Sequence, residues 1–367
     1  MSLLLEEEIS QSIKQLGPIR FDEFMKIALF HSDYGFYSQN KKSQISQFGT
    51  LARDYISYSP EELCQYPGEN TAKAIHNLAT NNQKIPFQEI PFKIREIIGT
   101  KQTLANNLLD YLKHAHKDTY ERISEYQIID PFNNLGEEDI NTLKGIDDKL
   151  IISRINPLEL NTDPFNGFVI VNQYFSKLPV NLIVFKGKEP NLLFVSESKD
   201  HLFEIIPLPC EDPNILAFIE KHGYNVHKNK FQYQENSFDN SIPHSLDISK
   251  VYEKISKSIS FGGIISIDYG YKDIKQHLKD SKPSYLRNNT ELFRVNQGYL
   301  NIQYPFEFSP IELVGEQSFI SALDFNQLIN SGEENQLSLS YFGCPKGITN
   351  PSIKKPKSGY LILVQSK

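Results

Sequence analysis

The chain has 367 residues, 38 Lys and Arg against 45 Asp and Glu, a net charge of −7, 39% apolar residues, 24 Phe, 19 Tyr and no Trp. That content is too apolar and aromatic for a disordered chain, and the acidic balance argues against a nucleic-acid coat. Three cysteines without CxxC spacing (Cys64, Cys210, Cys344) cannot build a disulfide scaffold, and no run approaches the roughly 18 apolar residues of a membrane span.

A chain of this length exceeds the size at which one core tends to split, so two lobes or one domain with insertions are expected. Met1 to Glu8 has neither the basic start and long apolar run of a secretory signal nor the Arg-rich texture of a transit peptide, which points to the cytoplasm, with the mitochondrial matrix as the alternative for a eukaryotic source. Glycine is sparse, at 19 residues.

Leu4, Leu5, Ile9, Ile13 and Leu16 recur at helical spacing, and Gly17-Pro18 stops that helix. A second short helix is expected over 21–30, a turn over 31–37, a polar loop over 39–53, and a helix opening at Ser59-Pro60-Glu61-Glu62, with Pro and two acids in its first turn. Short apolar runs then predict strands at 93–98, 126–129, 150–152, 168–171 and 264–267, with helices over 103–113 and 247–259 between them. Strands of this kind alternating with helices mean an α/β fold, a mostly parallel sheet covered on both faces. A hairpin is expected around Gly187-Lys188-Glu189-Pro190, an aromatic strand over 299–308, a helix over 318–330 and a closing strand over 360–364.

Each core strand ends in polar residues, at the sheet edge where α/β folds place ligands. Glu96 is followed by a turn in which Gly99 is the single glycine, so the pattern is a weak nucleotide loop and no P-loop. Asp130 ends the second strand, where an acid can accept two ribose hydroxyls or stay solvated. Asn172 and Gln173 end the fourth, Asp268 and Tyr269 the fifth. No HExxH and no GxSxG is present, so neither a zinc hydrolase nor a serine hydrolase is expected, and no metal.

Gly17-Pro18-Ile19-Arg20-Phe21, Phe24-Met25, Ala28-Leu29 and Asp33-Tyr34-Gly35-Phe36-Tyr37 resemble the opening signature of the MidA-type methyltransferases. Asp54-Tyr55-Ile56 with Ser59-Pro60-Glu61, Asn172-Gln173-Tyr174-Phe175 with Leu178-Pro179-Val180, Asp268-Tyr269-Gly270-Tyr271, and Gly315-Glu316-Gln317 with Asp324-Phe325 resemble later blocks of that family, in order. The resemblance implies a class I, Rossmann-like fold with a helical N-terminal cap (1–80), a core sheet (81–272), a C-terminal insertion forming the substrate wall (273–345) and a returning strand (346–367). It implies S-adenosylmethionine as cofactor, with Glu96, Gly99 and Thr100 near its methionine part, Asp130 on its ribose and Asn172 nearby, and Glu61 and Asp268 facing the substrate. Eukaryotic members act on a protein arginine during assembly of respiratory complex I, so a protein substrate or partner is implied, without nucleic acid or membrane span.

The sequence departs from that pattern in the cofactor loop. Ile98, Thr100 and Gln102 stand where the family has three glycines, and Gln173 and Ser176 where it has carboxylates. Side chains there crowd a cofactor, or else the loop takes another path. Three readings follow: a protein methyltransferase, a methyltransferase-fold scaffold or assembly factor without turnover, and a nucleotide-binding oxidoreductase, which needs the same missing glycines.

Overall fold

The structure is a computed structural model and describes residues 2–35, 66–81, 90–99, 103–159, 163–199, 202–233, 241–272, 286–288, 311, 314, 319–321, 323–343 and 359–367. The expected loop at 39–53, the helix start at 59–62, the strand at 299–308 and most of the 273–345 insertion before residue 319 fall outside these residues.

In chain order the elements are α1 (Ser2–Leu16), β1 (Ile19–Arg20), α2 (Phe21–Phe30), α3 (Tyr66–Asn81), β2 (Phe92–Ile98), α4 (Ala105–Ala115), α5 (Lys117–Arg122), β3 (Ile123–Ile129), α6 (Glu137–Lys144), β4 (Leu150–Ser153) and β5 (Phe165–Asn172). They continue with β6 (Asn181–Lys186), β7 (Glu189–Glu197), β8 (Phe203–Pro209), α7 (Pro213–Lys221), β9 (Ile242–His244), α8 (Leu246–Ser258), β10 (Ile259–Tyr271), β11 (Leu286–Asn288), β12 (Phe319–Ser321), β13 (Leu323–Asp324), α9 (Phe325–Glu334), β14 (Ser338–Gly343) and β15 (Gly359–Ser366). All five expected core strands form. The fifth is much longer than expected, because β5 and β15 pair with it on both sides. The helix expected over 318–330 begins only at Phe325: residues 319–321 and 323–324 are strands, and the Asp324 carboxylate caps the helix by accepting from Asn326 N at 3.0 Å.

The chain divides into two compact units, one of Met1–Ile56, Lys177–Leu246 and Asp273–Ala322, the other of Ser57–Ser176, Asp247–Lys272 and Leu323–Lys367. The span 81–272, expected as one core, thus contributes to both. In the first unit β1-β7-β6-β9 form an antiparallel sheet, with β8 also on β7. The β6–β7 hairpin turns at Gly187, whose φ of +66° suits a residue without a Cβ. Ile183, Phe185 and Leu192 of this sheet pack on Ile215, Phe218 and Ile219 of α7, whose N-terminus is capped by Asp212.

The second unit carries the order β14-β15-β10-β5-β2-β3-β4. β2, β3, β4, β5 and β10 are parallel, and β15 runs antiparallel to both of its neighbours. Numbered along the chain without the short β13, the seven strands lie 3-2-1-4-5-7-6 with the seventh reversed, the Rossmann-like arrangement of class I methyltransferases. The winding reverses between β2 and β5, so ligands are expected outside the C-terminal ends of these strands. Pleating puts Ile94 and Ile98 of β2 on one face with Tyr126, Ile128, Phe168 and Ile170, where they form a core with Leu108 and Leu112 of α4 and Ile75 of α3. On the other face the Tyr252 hydroxyl of α8 donates to Gln365 Oε1 of β15, whose amide donates to Ile329 O of α9 at 3.2 Å. Among the described residues no helix is long and apolar enough to cross a membrane.

In the first unit His244 of β9 is buried, stacked on Phe218 with centroids 4.0 Å apart, and its Nδ1 has no hydrogen-bond partner among the described residues. Burial, helped by the charge of His222, lowers its pKa to about 4. A histidine whose folded pKa lies below the unfolded value near 6.5 costs stability as pH falls through that interval, because the unfolded chain takes the proton first. Urea unfolding at pH 7 and pH 4 should show a loss of about 3 kcal/mol from this group. The substitution His244→Phe should remove that part of the acid sensitivity.

Candidate active site

Glu96 lies on the apolar face of β2 between Ile94 and Ile98, fully buried. Its carboxylate accepts four bonds. Oε1 takes Leu104 N at 2.8 Å and Asn172 Nδ2 at 2.9 Å. Oε2 takes the Tyr126 hydroxyl at 2.9 Å and the Thr103 hydroxyl. Thr103 Oγ1 in turn accepts from Ala105 N at 3.1 Å, so the first turn of α4 is capped by a threonine and by a carboxylate reaching from the sheet. A carboxylate has about four acceptor sites, and here all are occupied. Burial pushes its pKa above the ordinary carboxylate range, and the four donors, Thr103 first, pull it part of the way back.

Asp130, directly after β3, is also fully buried. Its Oδ1 accepts from Asn134 N at 2.9 Å and Asn134 Nδ2 at 3.0 Å, and its Oδ2 from Leu135 N at 2.8 Å. Arg154 donates to Leu135 O at 2.9 Å, closing the turn 131–135 from its far side. Desolvation raises the Asp130 pKa against the pull of these bonds and of the Arg154 charge.

At the end of β5 the chain bends sharply. Gln173 has φ +53°, and its N–H donates to Ile267 O of β10 at 2.8 Å. Asn133 has the same φ, and with Gln336 these are the left-handed non-glycine residues among the described ones. Such a conformation costs roughly 1–2 kcal/mol, less for Asn, and gathers at functional edges. Gly99, just past β2, donates its N–H to Asn172 O at 2.9 Å. A Cβ on Gly99 would stand 1.8 Å from Gln173 O and 2.8 Å from Tyr174 Cα, so the backbone after β5 lies directly against it. The Tyr174 ring stacks on Phe132 from the turn after β3, centroids 5.4 Å apart at 22°. Because β2 lies between β3 and β5, the two rings meet across its C-terminal end.

Glu96, Asp130, Asn172 and Asp268 therefore converge at the C-terminal ends of four adjacent strands, and Glu96 and Asn172 touch. All four are buried. Asp268 accepts from Ser176 N at 3.1 Å, holding the turn after β5. Ile98 joins the core under α4. Glu61, Thr100 and Gln102 lie outside the described residues. Sequence reasoning passed over Tyr126, Phe132 and Tyr174; an aromatic two residues after a strand-end polar group, Asp130 or Asn172, is the signal that marks the last two. Among the described residues no three His, Cys, Asp or Glu gather as metal ligands.

Residues 74–343 match the family described as "Putative S-adenosyl-L-methionine-dependent methyltransferase". The fold is similar to that of an uncharacterized protein from Burkholderia thailandensis, at 15% identity and TM-score 0.72, covering 100% of this chain and 92% of that one. It is also similar to a "likely methyl transferase" of the same organism, bound to S-adenosyl-homocysteine, at 14% identity and TM-score 0.70, with the same coverage. No curated protein matches the chain in sequence.

In Glu96→Gln, Oε1 keeps its two N–H donors, and Nε2 faces two hydroxyls that can reverse to accept. A carboxylate whose folded pKa is raised loses stability as pH rises through the carboxylate range, since the folded state holds the proton longer. Glu96→Gln should therefore be at least as stable as the wild type at pH 7 and lack that decline. Glu96→Ala strands two N–H donors and opens a cavity, and should cost about 3–5 kcal/mol in urea unfolding. Gly99→Ala must push β5 away from β2 and should cost about 2–4 kcal/mol by the same measurement.

Proposed function

Since the chain belongs to this family of S-adenosylmethionine-dependent methyltransferases, we propose that it transfers a methyl group from S-adenosylmethionine to a protein side chain. The observation that carries the reading is the convergence of Glu96, Asp130, Asn172 and Asp268 on the C-terminal edge of a 3-2-1-4-5-7-6 sheet, at its switch point. The relative of similar fold with bound S-adenosyl-homocysteine supports the choice of cofactor. The resemblance of the sequence blocks supports arginine as the acceptor and, as in the eukaryotic members, a protein of respiratory complex I as its bearer.

The cofactor does not fit the edge as it stands. A sulfonium centre favours nearby carboxylates and a ribose diol needs free acceptor oxygens. Glu96 has all its acceptor sites filled by the protein's own donors, and Asp130 is walled in by three. What the chain itself supplies is a rigid edge, in which Glu96 fixes β2, β3, β5 and α4 together and Asp268 holds the turn after β5.

The occupied carboxylates, with Ile98 turned into the core in place of a loop glycine, favour a second reading: the fold kept as a scaffold that binds a protein partner without turnover. Calorimetric titration with S-adenosylmethionine and S-adenosylhomocysteine separates the two. The enzyme reading expects saturable binding and, with an added acceptor protein, methyl-arginine in its peptides by mass spectrometry. No binding at millimolar ligand sinks it and leaves the scaffold.

A further inference from the structure

The part of the misfit that lies at Asp130 has a single local origin. Residues 131–135 form one turn, and that turn does two things at once. Asn134 and Leu135 fill the Asp130 carboxylate, and Phe132 lays its ring on Tyr174. The two rings differ in their surroundings. Tyr174 is 3% exposed and continues inward through Phe175, at 5.9 Å, to Tyr252, at 5.9 Å, so it is part of a fixed aromatic row. Phe132 is half-buried and is the outer ring of the stack. Left-handed residues flank the pair, Asn133 beside Phe132 and Gln173 beside Tyr174. The stack spans the C-terminal ends of β3 and β5, over β2, at the switch point where a nucleoside is expected.

The geometry points to an autoinhibitory latch: Phe132 lies on the face of Tyr174 across the C-terminal end of β2, where a nucleoside cofactor is expected, while the same turn holds the carboxylate that a ribose diol requires. Opening this one turn bares a flat aromatic face and frees Asp130 together, so a purine nucleoside cofactor competes with the protein's own phenylalanine. The inference rests on the cofactor reading above and concerns only how the cofactor gains its place.

Calorimetry with S-adenosylhomocysteine and with adenosine, on the wild type and on Phe132→Ala, tests it. The outer ring is the one removed, so the fixed row from Tyr174 inward stays intact. Phe132→Ala should bind S-adenosylhomocysteine at least about 10-fold more tightly than the wild type, and adenosine should bind to the variant alone at concentrations where the wild type shows none. Wild-type binding as tight as that of the variant, or tighter, overturns the latch and leaves the methyltransferase reading in place. No binding to either protein overturns both. Because the chain has no tryptophan, Phe132→Trp gives a second readout free of affinity. Its emission should shift to the red as S-adenosylhomocysteine displaces the indole into water, and an unchanged spectrum at saturation overturns the latch.

Discussion

A carboxylate set in the middle of an apolar sheet face is tolerable only if every lone pair has a donor, and Glu96 meets that demand from three directions. Thr103 and Leu104 come from the start of α4, Tyr126 from β3, Asn172 from the end of β5. None of these elements can shift relative to β2 without leaving a buried charge short of a partner. The helix start is thereby tied to the sheet, and the strand ends are held level with one another. Gly99 completes the constraint, because its N–H is bound to Asn172 O and its missing side chain lets the backbone after β5 lie directly above. The edge is thus stiff around β2 and β5, and its one separately closed piece is the turn after β3.

The core strands were legible because parallel strands covered on both faces are rich in apolar residues: 168–171 is an unbroken apolar run, and 94–98 and 126–129 are interrupted only by Arg95, Glu96 and Gln127. The four polar residues at strand ends were legible for the converse reason: a polar group at the end of a buried strand stands out. What a sequence does not carry is the direction of each carboxylate. Glu96 and Asp130 read equally well as ligands of a cofactor and as anchors of their own loops, and only their donors decide. Ile98 is similar. It reads as an obstacle in a cofactor loop, yet its place in the pleat, two residues beyond Glu96, turns it into the core beneath α4. Near 320 the failure was one of period. Phe319-Ile320-Ser321 and Leu323-Asp324 are too short to show alternation, and the helix start depends on the Asp324 cap.

The scarcity of glycine also has a structural side. Turns that reverse or bend the chain often use glycine for positive φ, but here Asn133, Gln173 and Gln336 take that conformation with full side chains. A glutamine in this region is less at ease than an asparagine, which can bond locally to its own backbone. Gln173 is held by the bond from its N–H to Ile267 O and by the glycine beneath it. At Gln173 the stiffness of the strand edge and the strain at its exit therefore have the same source, the close approach of β5 to β2.

β15 is the last strand of its sheet in chain order, yet it lies inside, paired with β10 on one side and β14 on the other. During synthesis on the ribosome, β2 to β5 and β10 emerge and can pair well before residues 359–366 exist. Until those residues emerge, the long edge of β10 presents a row of open N–H and C=O groups through its apolar stretch, and β14 has no strand to pair with among the described residues. The sheet cannot close from one end to the other as it is made; it waits with a gap in its middle. That interval of exposed strand edge, more than any weakness of the finished fold, is where a nascent chain of this design is most open to pairing with the wrong partner.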